Sequence, residues 1–416
     1  MTQADKVDSA FLVEHFFRNE YGKMVAVISK YVAIETAEDL VQDTLLTAVE
    51  YWQHKGIPAN PQAWLYTTAK NKTLNWLRKN KFERTYQNQV QEQDLGTLEF
   101  TDQLIVDEQL RIMLACCHTS ISEACQITLI LKVLCGFSIS EIASAFCTNN
   151  ETINKRLVRG RKKLKTIGFN LEGANDLNLS QEVLLKTIYL LFNEGYFPSR
   201  KNQIVRKDFC LEAIRLTEII VSNEKINQKE NAHALLALMC LNCSRFEART
   251  KKVDETIEME QQDRTLWNQG LLNKGFYHLN EAQKNESISK YLILASISAN
   301  HSVAQNYAQT NWEEILALYD VLLSLENSPI VRLNRLVAFS KVNGSKEAIS
   351  ELLKLKGLAA NHLYYATLAE LYKDTKEYTE AINYYEKAIS LVSNIRDKNF
   401  LIKKLKALVP ISKSQV

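Results

Sequence analysis

Proline is scarce in this chain: five in 416 residues, at Pro58, Pro61, Pro198, Pro329 and Pro410. The long intervals between them carry no helix breaker, because proline both lacks the backbone donor and clashes with the preceding turn. An all-α protein is the expectation. Long apolar runs are missing as well, none reaching the roughly 18 uncharged residues that cross a bilayer. The N-terminal stretch MTQADKVDSAFLVEHFF carries acid where a signal peptide carries basic residues. These absences predict a soluble, cytoplasmic protein without a membrane partner. The sequence has no Gly-rich phosphate loop, nucleophile elbow or spaced metal ligands, so neither enzyme activity nor a metal or other cofactor is expected. Nor do the eight cysteines form a framework. Cys116 and Cys117 are adjacent, Cys125, Cys135, Cys147 and Cys210 stand alone in helical patterns, and Cys240 and Cys243 have CxxC spacing without a second zinc pair or a βαβ setting. They read as small buried hydrophobes in a reducing cytosol, and His118 beside the first pair reads as an ordinary side chain too.

What is present is amphipathic helix and unevenly spread positive charge. With 46% hydrophobic residues the chain can bury sizeable cores, and its length suggests two to three domains at about 150 residues each. The net charge of +3 conceals two basic runs. Lys70, Lys72, Arg78, Lys79, Lys81 and Arg84 are answered only by Glu83, and Lys155, Arg156, Arg159, Arg161, Lys162, Lys163 and Lys165 meet no acid between Thr152 and Thr166. A basic run is ordinarily a solvated helix face, but two of them at two motif positions favour phosphate contacts.

The helix over Ala37 to Trp52 puts Leu40, Val41, Leu45, Ala48 and Trp52 on an apolar face and is expected to turn Glu38, Asp39, Gln42, Asp43 and Glu50 to solvent. QHKGIPANP then supplies Gly56, Pro58, Asn60 and Pro61, a loop by every local signal. In the next helix Trp64 shares a face with Leu65, Ala69 and Leu74 and reads as core. Residues 82–105 are rich in Gln and Glu without an apolar period and read as a flexible connection. A second helical domain starts near Val106, with Leu110, Met113, Leu114, Ile127, Leu131, Val133 and Leu134 as scaffold and Gly136 as a stop. Ser138 with Glu141, and Thr148 with Glu151, read as capping boxes of two helices joined by a tight turn, although Cys147 stands where that turn often has glycine. Ile153, Leu157 and Leu164 bury one face of the last helix, leaving Glu151, Asn154, Lys155, Val158 and Lys162 opposite. A recognition helix enters the major groove by its N-terminal half, so Asn154, Lys155, Val158 and Arg159 are candidates for base edges and Arg156, Arg161 and Lys163 for phosphates.

Beyond a polar break, NLEGANDLNLS at Asn170 to Ser180, come long amphipathic helices. Tyr365, Leu368, Ala369, Tyr372, Ala381, Tyr385 and Ala388 fall at the small and aromatic positions of a tetratricopeptide unit, and a poorer copy precedes it, with Ala348 lying 33 residues before Ala381. Stacked helix pairs are expected near 329–394. Tyr364, Tyr365, Tyr372, Tyr384 and Tyr385 exceed what a minimal solenoid core needs, so some are expected on a contact surface. Asn193, Glu194, Asp263 and Arg264 read as buried caps and ion pairs in preference to a ligand site.

Three strings carry a resemblance. AEDLVQDTLLTAV at Ala37 to Val49, AWLYTTAKN at Ala63 to Asn71 and FSISEIASAFCTNNETINKRLVRGRKKL at Phe137 to Leu164 resemble regions two and four of a bacterial RNA polymerase sigma factor of the extracytoplasmic-function type. With LLFNEGY at Leu190 to Tyr196, QQDRTLW at Gln261 to Trp267 and the repeat tail, the chain is similar to the subfamily with a fused C-terminal tetratricopeptide-like domain. The resemblance implies sigma region 2 at 10–81, region 4 at 106–168 and a helical C-terminal domain at 178–416. It implies that Asp39, Gln42 and Asp43 dock on the basic coiled coil of the polymerase clamp, a task suited to carboxylates that accept from arginine. It implies that the loop receives a flipped base of the minus-ten element, with His54, Lys55, Asn60 and Asn71 about the pocket and Lys70, Lys72, Arg78 and Lys79 on the opened strand. The helix-turn-helix would then read the minus-thirty-five element. The implied function is promoter-specific initiation with core RNA polymerase and promoter DNA as partners, regulated in cis by the C-terminal domain, whose repeats could also take a protein partner. The rival is a DNA-binding regulator with a repeat scaffold that never enters polymerase, and a working Asp39, Gln42 and Asp43 surface separates the two.

Overall fold

A computed structural model describes residues 3–80, 98–146, 148–167, 174–197, 207–224, 226, 228–250, 257–284, 288–392 and 395–413. Among them there is helix and no strand, as the scarcity of breakers predicts. The chain divides into two compact units, Met1–Thr187 and Ile188–Val416.

In the first unit α1 (Gln3–Ile28), α2 (Ile34–Lys55) and α3 (Pro61–Lys79) pack together. The start of α3 follows from its sequence. Pro61 sits in the first turn, where a missing N–H costs nothing, and the Asn60 side chain accepts from the Ala63 amide at 3.0 Å. The buried stripe of α2 holds Ala37, Leu40, Val41, Ala48 and Trp52, and it also contains Thr44 and Glu38. Thr44 meets its hydrogen-bonding need locally by donating to the Leu40 carbonyl at 2.7 Å. Leu65, Ala69 and Leu77 of α3 are buried, and Trp64 is half-buried.

Most of the expected flexible connection, residues 82–97 of 82–105, lies outside the described residues. The rest of it is packed: Leu98 is fully buried, Phe100 stacks on Tyr66 at 4.5 Å, and α4 (Asp102–Cys116) begins with Thr101 as its cap. Then come α5 (Glu123–Leu129), continued by a π turn over Ile130–Leu134, α6 (Ile139–Ala145) and α7 (Asn150–Ile167). Gly136 ends the π turn at φ 66°, a conformation that needs no Cβ. The first capping box forms as read, with Ser138 N donating to Glu141 Oε2 at 2.8 Å and Glu141 N donating to Ser138 Oγ at 3.2 Å. The second is displaced by one residue. Thr152 N donates to Asn149 Oδ1 at 2.8 Å, so Asn149 caps α7, while Thr148 N donates to the Ala143 carbonyl. Cys147 lies outside the described residues. Helix α7 buries Ile153, Leu157, Gly160 and Leu164. A Cβ on Gly160 would lie 2.8 Å from Leu129 Cδ1, which is how closely α7 approaches α5.

Helix α8 (Ala174–Tyr196) begins in the first unit and ends in the second. In the second unit α10 (Glu230–Cys243) packs against α9 (Lys207–Ser222), α12 (Gln269–Ala282) and α13 (Lys290–Val303), and is buried along almost its whole length. The short α11 (Phe246–Thr250) follows α10. From there each helix packs on the next: α14 (Trp312–Leu325), α15 (Pro329–Asn343), α16 (Ser345–Leu352), α17 (His362–Asp374), α18 (Tyr378–Leu391) and α19 (Ile395–Lys413). Leu368 and Ala369 of α17 share one core with Ala381 and Ala388 of α18. Tyr364, Tyr365 and Tyr385 belong to that core, so of the five tyrosines, some of which were expected on a contact surface, these three are structural. Tyr372 and Tyr384, stacked at 5.4 Å, remain partly open.

Candidate polymerase and DNA faces

Asp39, Gln42 and Asp43 are exposed on α2, one turn before the exposed Leu46 and two before Glu50. The face is therefore mixed, two carboxylates and an amide leading into an apolar side chain. Asp43 is paired with Lys72 of α3, which ties the acidic face to a cation of the minus-ten set. Glu38 departs from the sequence reading. It is 3% exposed, because one step before Asp39 on a helix is about 100° round the axis and here falls on the Ala37 and Val41 side. Its carboxylate accepts from Tyr21 Oη at 3.2 Å and pairs with Arg161 of α7. Burial pushes the Glu38 carboxyl up, and Arg161 and Lys132 offset this only in part.

At the end of α2, His54, Lys55, Ile57 and Asn60 are exposed. The Asn60 oxygen is already committed to its cap, leaving its NH2 group as the available donor. Asn71, Arg78 and Lys79 are exposed on α3, while Lys70 and Lys72 are half-buried. The sequence reading missed Tyr51. It is 47% exposed and stacks on Trp64 at 5.4 Å, forming an aromatic plate one turn before the loop. The signal was there in the spacing of Tyr51 to Trp52 and Trp64, of which only the two tryptophans were read, as core.

On α7, Asn154, Lys155, Val158, Arg159, Lys162 and Lys163 are exposed together. Val158, at 66% exposed, is an apolar β-branched side chain with no core to face, and a thymine methyl is the contact such a residue makes in a major groove. Lys155 pairs with Glu151 at 2.7 Å, both exposed, an interaction worth only a few tenths of a kcal/mol, roughly. Arg156 is half-buried beside a hollow of about 290 Å³ shared with Glu123, Ala124, Ile127 and Phe146. Arg161 stands apart from this set, its side chain 22% exposed and held by Glu38.

In the second unit the motif residues Asp263 and Arg264 act as structure. Asp263 Oδ1 accepts from Thr265 N at 3.0 Å and caps the 3-10 turn Arg264–Leu266. Arg264 Nη1 donates to the carbonyls of His301 and Ala304, closing the end of α13, and its guanidinium lies 4.6 Å from the centre of the Trp267 ring. Tyr196 of the LLFNEGY string accepts from Arg245 at its hydroxyl and from Arg249 at its carbonyl, both at 3.0 Å. Asn193 and Glu194 also have partners. A cavity of about 630 Å³ lies by α15, α17 and α19, lined among others by Glu258, Tyr307, Glu370, Lys373, Tyr385 and Lys404. Against the cost of burial, Lys404 and Lys373 hold the Glu370 carboxyl below the usual carboxylate range.

The seven described cysteines are free and buried, and burial pushes the Cys116 and Cys240 thiols up to about 12, far from thiolate chemistry. Among the described residues no three His, Cys, Asp or Glu side chains gather so as to hold a metal ion, and no helix is long and apolar enough to cross a membrane.

Residues 16–83 match the sigma-70 region 2 family and residues 111–164 the sigma-70 region 4 family. Residues 181–283 match DUF6596, a family of unknown function. An uncharacterized protein of Rhizobium meliloti (strain 1021) is 29% identical over 387 residues, spanning 91% of this chain and 91% of its own length. No solved structure matches. Region 2, region 4 and that C-terminal family, in this order along one chain, fit a sigma factor of the extracytoplasmic-function type with an extra C-terminal domain, and the two sigma domains are those of a transcription initiation family.

Proposed function

We propose that this chain enters core RNA polymerase through Asp39, Gln42 and Asp43 of α2, receives a minus-ten base at the loop between α2 and α3, and reads the minus-thirty-five element with α7. The observation that supports this most is the joint exposure of the acidic α2 face and the basic α7 face in one unit. An acidic face suits a cationic protein partner, and the exposed cations of α7 suit a phosphate backbone. Run-off transcription with purified core polymerase on genomic fragments tests the whole reading, and absence of any promoter-specific transcript would end it.

The base-reading assignment has its own test. Lys155→Ala and Arg159→Ala are each expected to cost about 1 to 3 kcal/mol and to relax preference at individual upstream base pairs. Lys163→Ala should weaken all sequences alike and lower the salt slope by about one. Binding of a promoter library as a function of salt measures both. A uniform loss in all three variants would put the base contacts on another face of α7.

The C-terminal unit is proposed to regulate initiation in cis. Its stacked helix pairs, read as tetratricopeptide-like, present the partly open Tyr372 and Tyr384 as contact residues. In vitro transcription by the Met1 to Gly173 fragment beside the full chain is expected to differ in amount and to keep the same promoter preference. Equal activity at equal polymerase occupancy would remove the regulatory role.

A further inference from the structure

The cavity of about 630 Å³ in the second unit has a wall that its own ion pairs do not exhaust. Lys404 of α19 holds Glu258 and Glu370, Lys373 also holds Glu370, and the Tyr385 hydroxyl donates to the same carboxylate. That network is closed. Outside it stand Glu260, in the 3-10 turn Met259–Gln261, and Asp374, at the end of α17. Both are exposed, and neither side chain has a hydrogen bond or ion pair among the described residues. Tyr307, in the 3-10 turn Tyr307–Gln309, lines the same cavity, and its hydroxyl is likewise without a hydrogen-bond partner among them. Burial, then Glu260, Glu258 and Asp374, push that hydroxyl up to about 12, so three carboxylates bear on one phenol.

The charge left over is negative. Glu258, Glu260, Glu370 and Asp374 line the cavity with Lys341, Lys373 and Lys404, four carboxylates against three ammonium groups. The lysine outside the network, Lys341 at the end of α15, is exposed, and its Nζ lies 5.7 Å from the centre of the Tyr307 ring. The protein thus sets one of its own ammonium groups against that ring, whose quadrupole attracts cations. Leu371 and Leu408 add apolar lining. This combination suits an ammonium group on an alkyl chain, because the head only donates hydrogen bonds and the chain asks only for apolar surface. An anionic ligand would instead meet two unmatched carboxylates for one uncommitted lysine. The volume falls in the range of small-molecule sites, roughly 300 to 1,000 Å³, which favours a small ligand over a folded partner.

We propose that this cavity binds a linear aliphatic polyamine, with Glu260 and Asp374 accepting from its ammonium groups, Tyr307 meeting one of them, and Leu371 and Leu408 covering the alkyl chain. Two carboxylates on separate elements select a ligand with more than one ammonium group, since a monoamine leaves one of them unmatched. Lys341 is the resident competitor. Its ammonium lies on the Tyr307 face that the ligand takes, and it swings to solvent when the ligand enters. The site lies wholly within the second unit, so the proposal stands apart from the polymerase and promoter reading.

Isothermal titration calorimetry of the full chain with spermidine at physiological salt tests this. One site is expected, with butylamine binding about tenfold more weakly or worse and magnesium chloride failing to compete. That comparison needs no variant. Glu260→Gln and Asp374→Asn change exposed side chains outside the ion-pair network, and each is expected to weaken spermidine about tenfold. Lys341→Gln is expected to tighten binding about threefold. Lys346→Gln, the same change of charge on α16 outside the cavity, should leave it unaltered. Far-UV circular dichroism checks the fold of each variant. Failure of spermidine to bind, equal affinity for butylamine, or wild-type affinity in both acid variants would overturn the proposal. Equal tightening by Lys341→Gln and Lys346→Gln would overturn it too, by showing attraction to net charge in place of a site. Trilysine carries the same ammonium chemistry on a peptide, and tighter binding of trilysine than of spermidine would replace the small ligand with a protein-borne one and sink the polyamine assignment.

Discussion

Replacing both Asp39 and Asp43 with Lys is expected to abolish co-purification with core polymerase while the fold survives. Both carboxylates are exposed, and the buried stripe of α2 is untouched by the change. A charge reversed against a cationic partner loses an attraction and gains a repulsion. Losing one hydrogen-bonded interfacial charge commonly costs 2 to 5 kcal/mol, so the double variant should weaken binding by about a hundredfold or more. The internal cost is smaller. Asp43 gives up its pair with Lys72, and exposed pairs of that kind are worth roughly 0 to 1 kcal/mol. The thermal midpoint should therefore move by a few degrees at most, about the shift that 1 kcal/mol produces in a unit of this size. Asp39→Lys alone separates docking from the Lys72 contact. Co-purification of the double variant at wild-type levels would remove α2 from the polymerase interface.

Gly195→Val is expected to unfold the second unit. Gly195 lies in the LLFNEGY string near the end of α8, where a Cβ would meet Cys210 Sγ at 2.7 Å, Phe209 Cβ at 2.8 Å and Cys210 N at 2.9 Å. The last of these is backbone in α9 and cannot swing aside. Overpacking of this kind costs about 3 kcal/mol or more when the neighbours are fixed, a large part of the stability of an ordinary domain. Because the chain forms two compact units, limited proteolysis should digest residues beyond α8 while the first unit persists. Digestion indistinguishable from wild type would show that α9 can yield, and that the string owes its glycine to something else.

The glycines illustrate where legibility ended. Helical periodicity revealed the α2 stripe, the α7 core positions and the pairing of α17 with α18, because each depends on residues of one or two neighbouring helices. It misplaced Glu38, since the partner that makes its burial tolerable, Arg161, is 123 residues away and no periodicity reports it. Thr148 and Asn149 are both good caps, and the choice between them was made by the preceding chain, where Thr148 N bonds back to Ala143. Which tyrosines of α17 and α18 would be core was illegible for a related reason. An aromatic ring with one polar atom looks like a surface residue until its hydroxyl finds a partner, as Tyr364 does at the Leu352 carbonyl, Tyr365 at the Ala359 carbonyl and Tyr385 at Glu370.

Lys404 on α19 donates to Glu370 of α17 and, at 2.7 Å, to Glu258, 146 residues earlier in the chain. Stacked helix pairs usually form an open-ended series, stable with one unit more or fewer so long as the ends are capped. Here the last helix is fastened both to its own stack and to a segment that precedes the stack. Inserting or deleting a helix pair between Glu258 and Lys404 would carry Lys404 away from one of its two carboxylates and leave a partly buried charge unmatched. The double fastening therefore ties the length of the stack between Glu258 and Lys404 to a fixed spacing, where an open-ended series would leave it free.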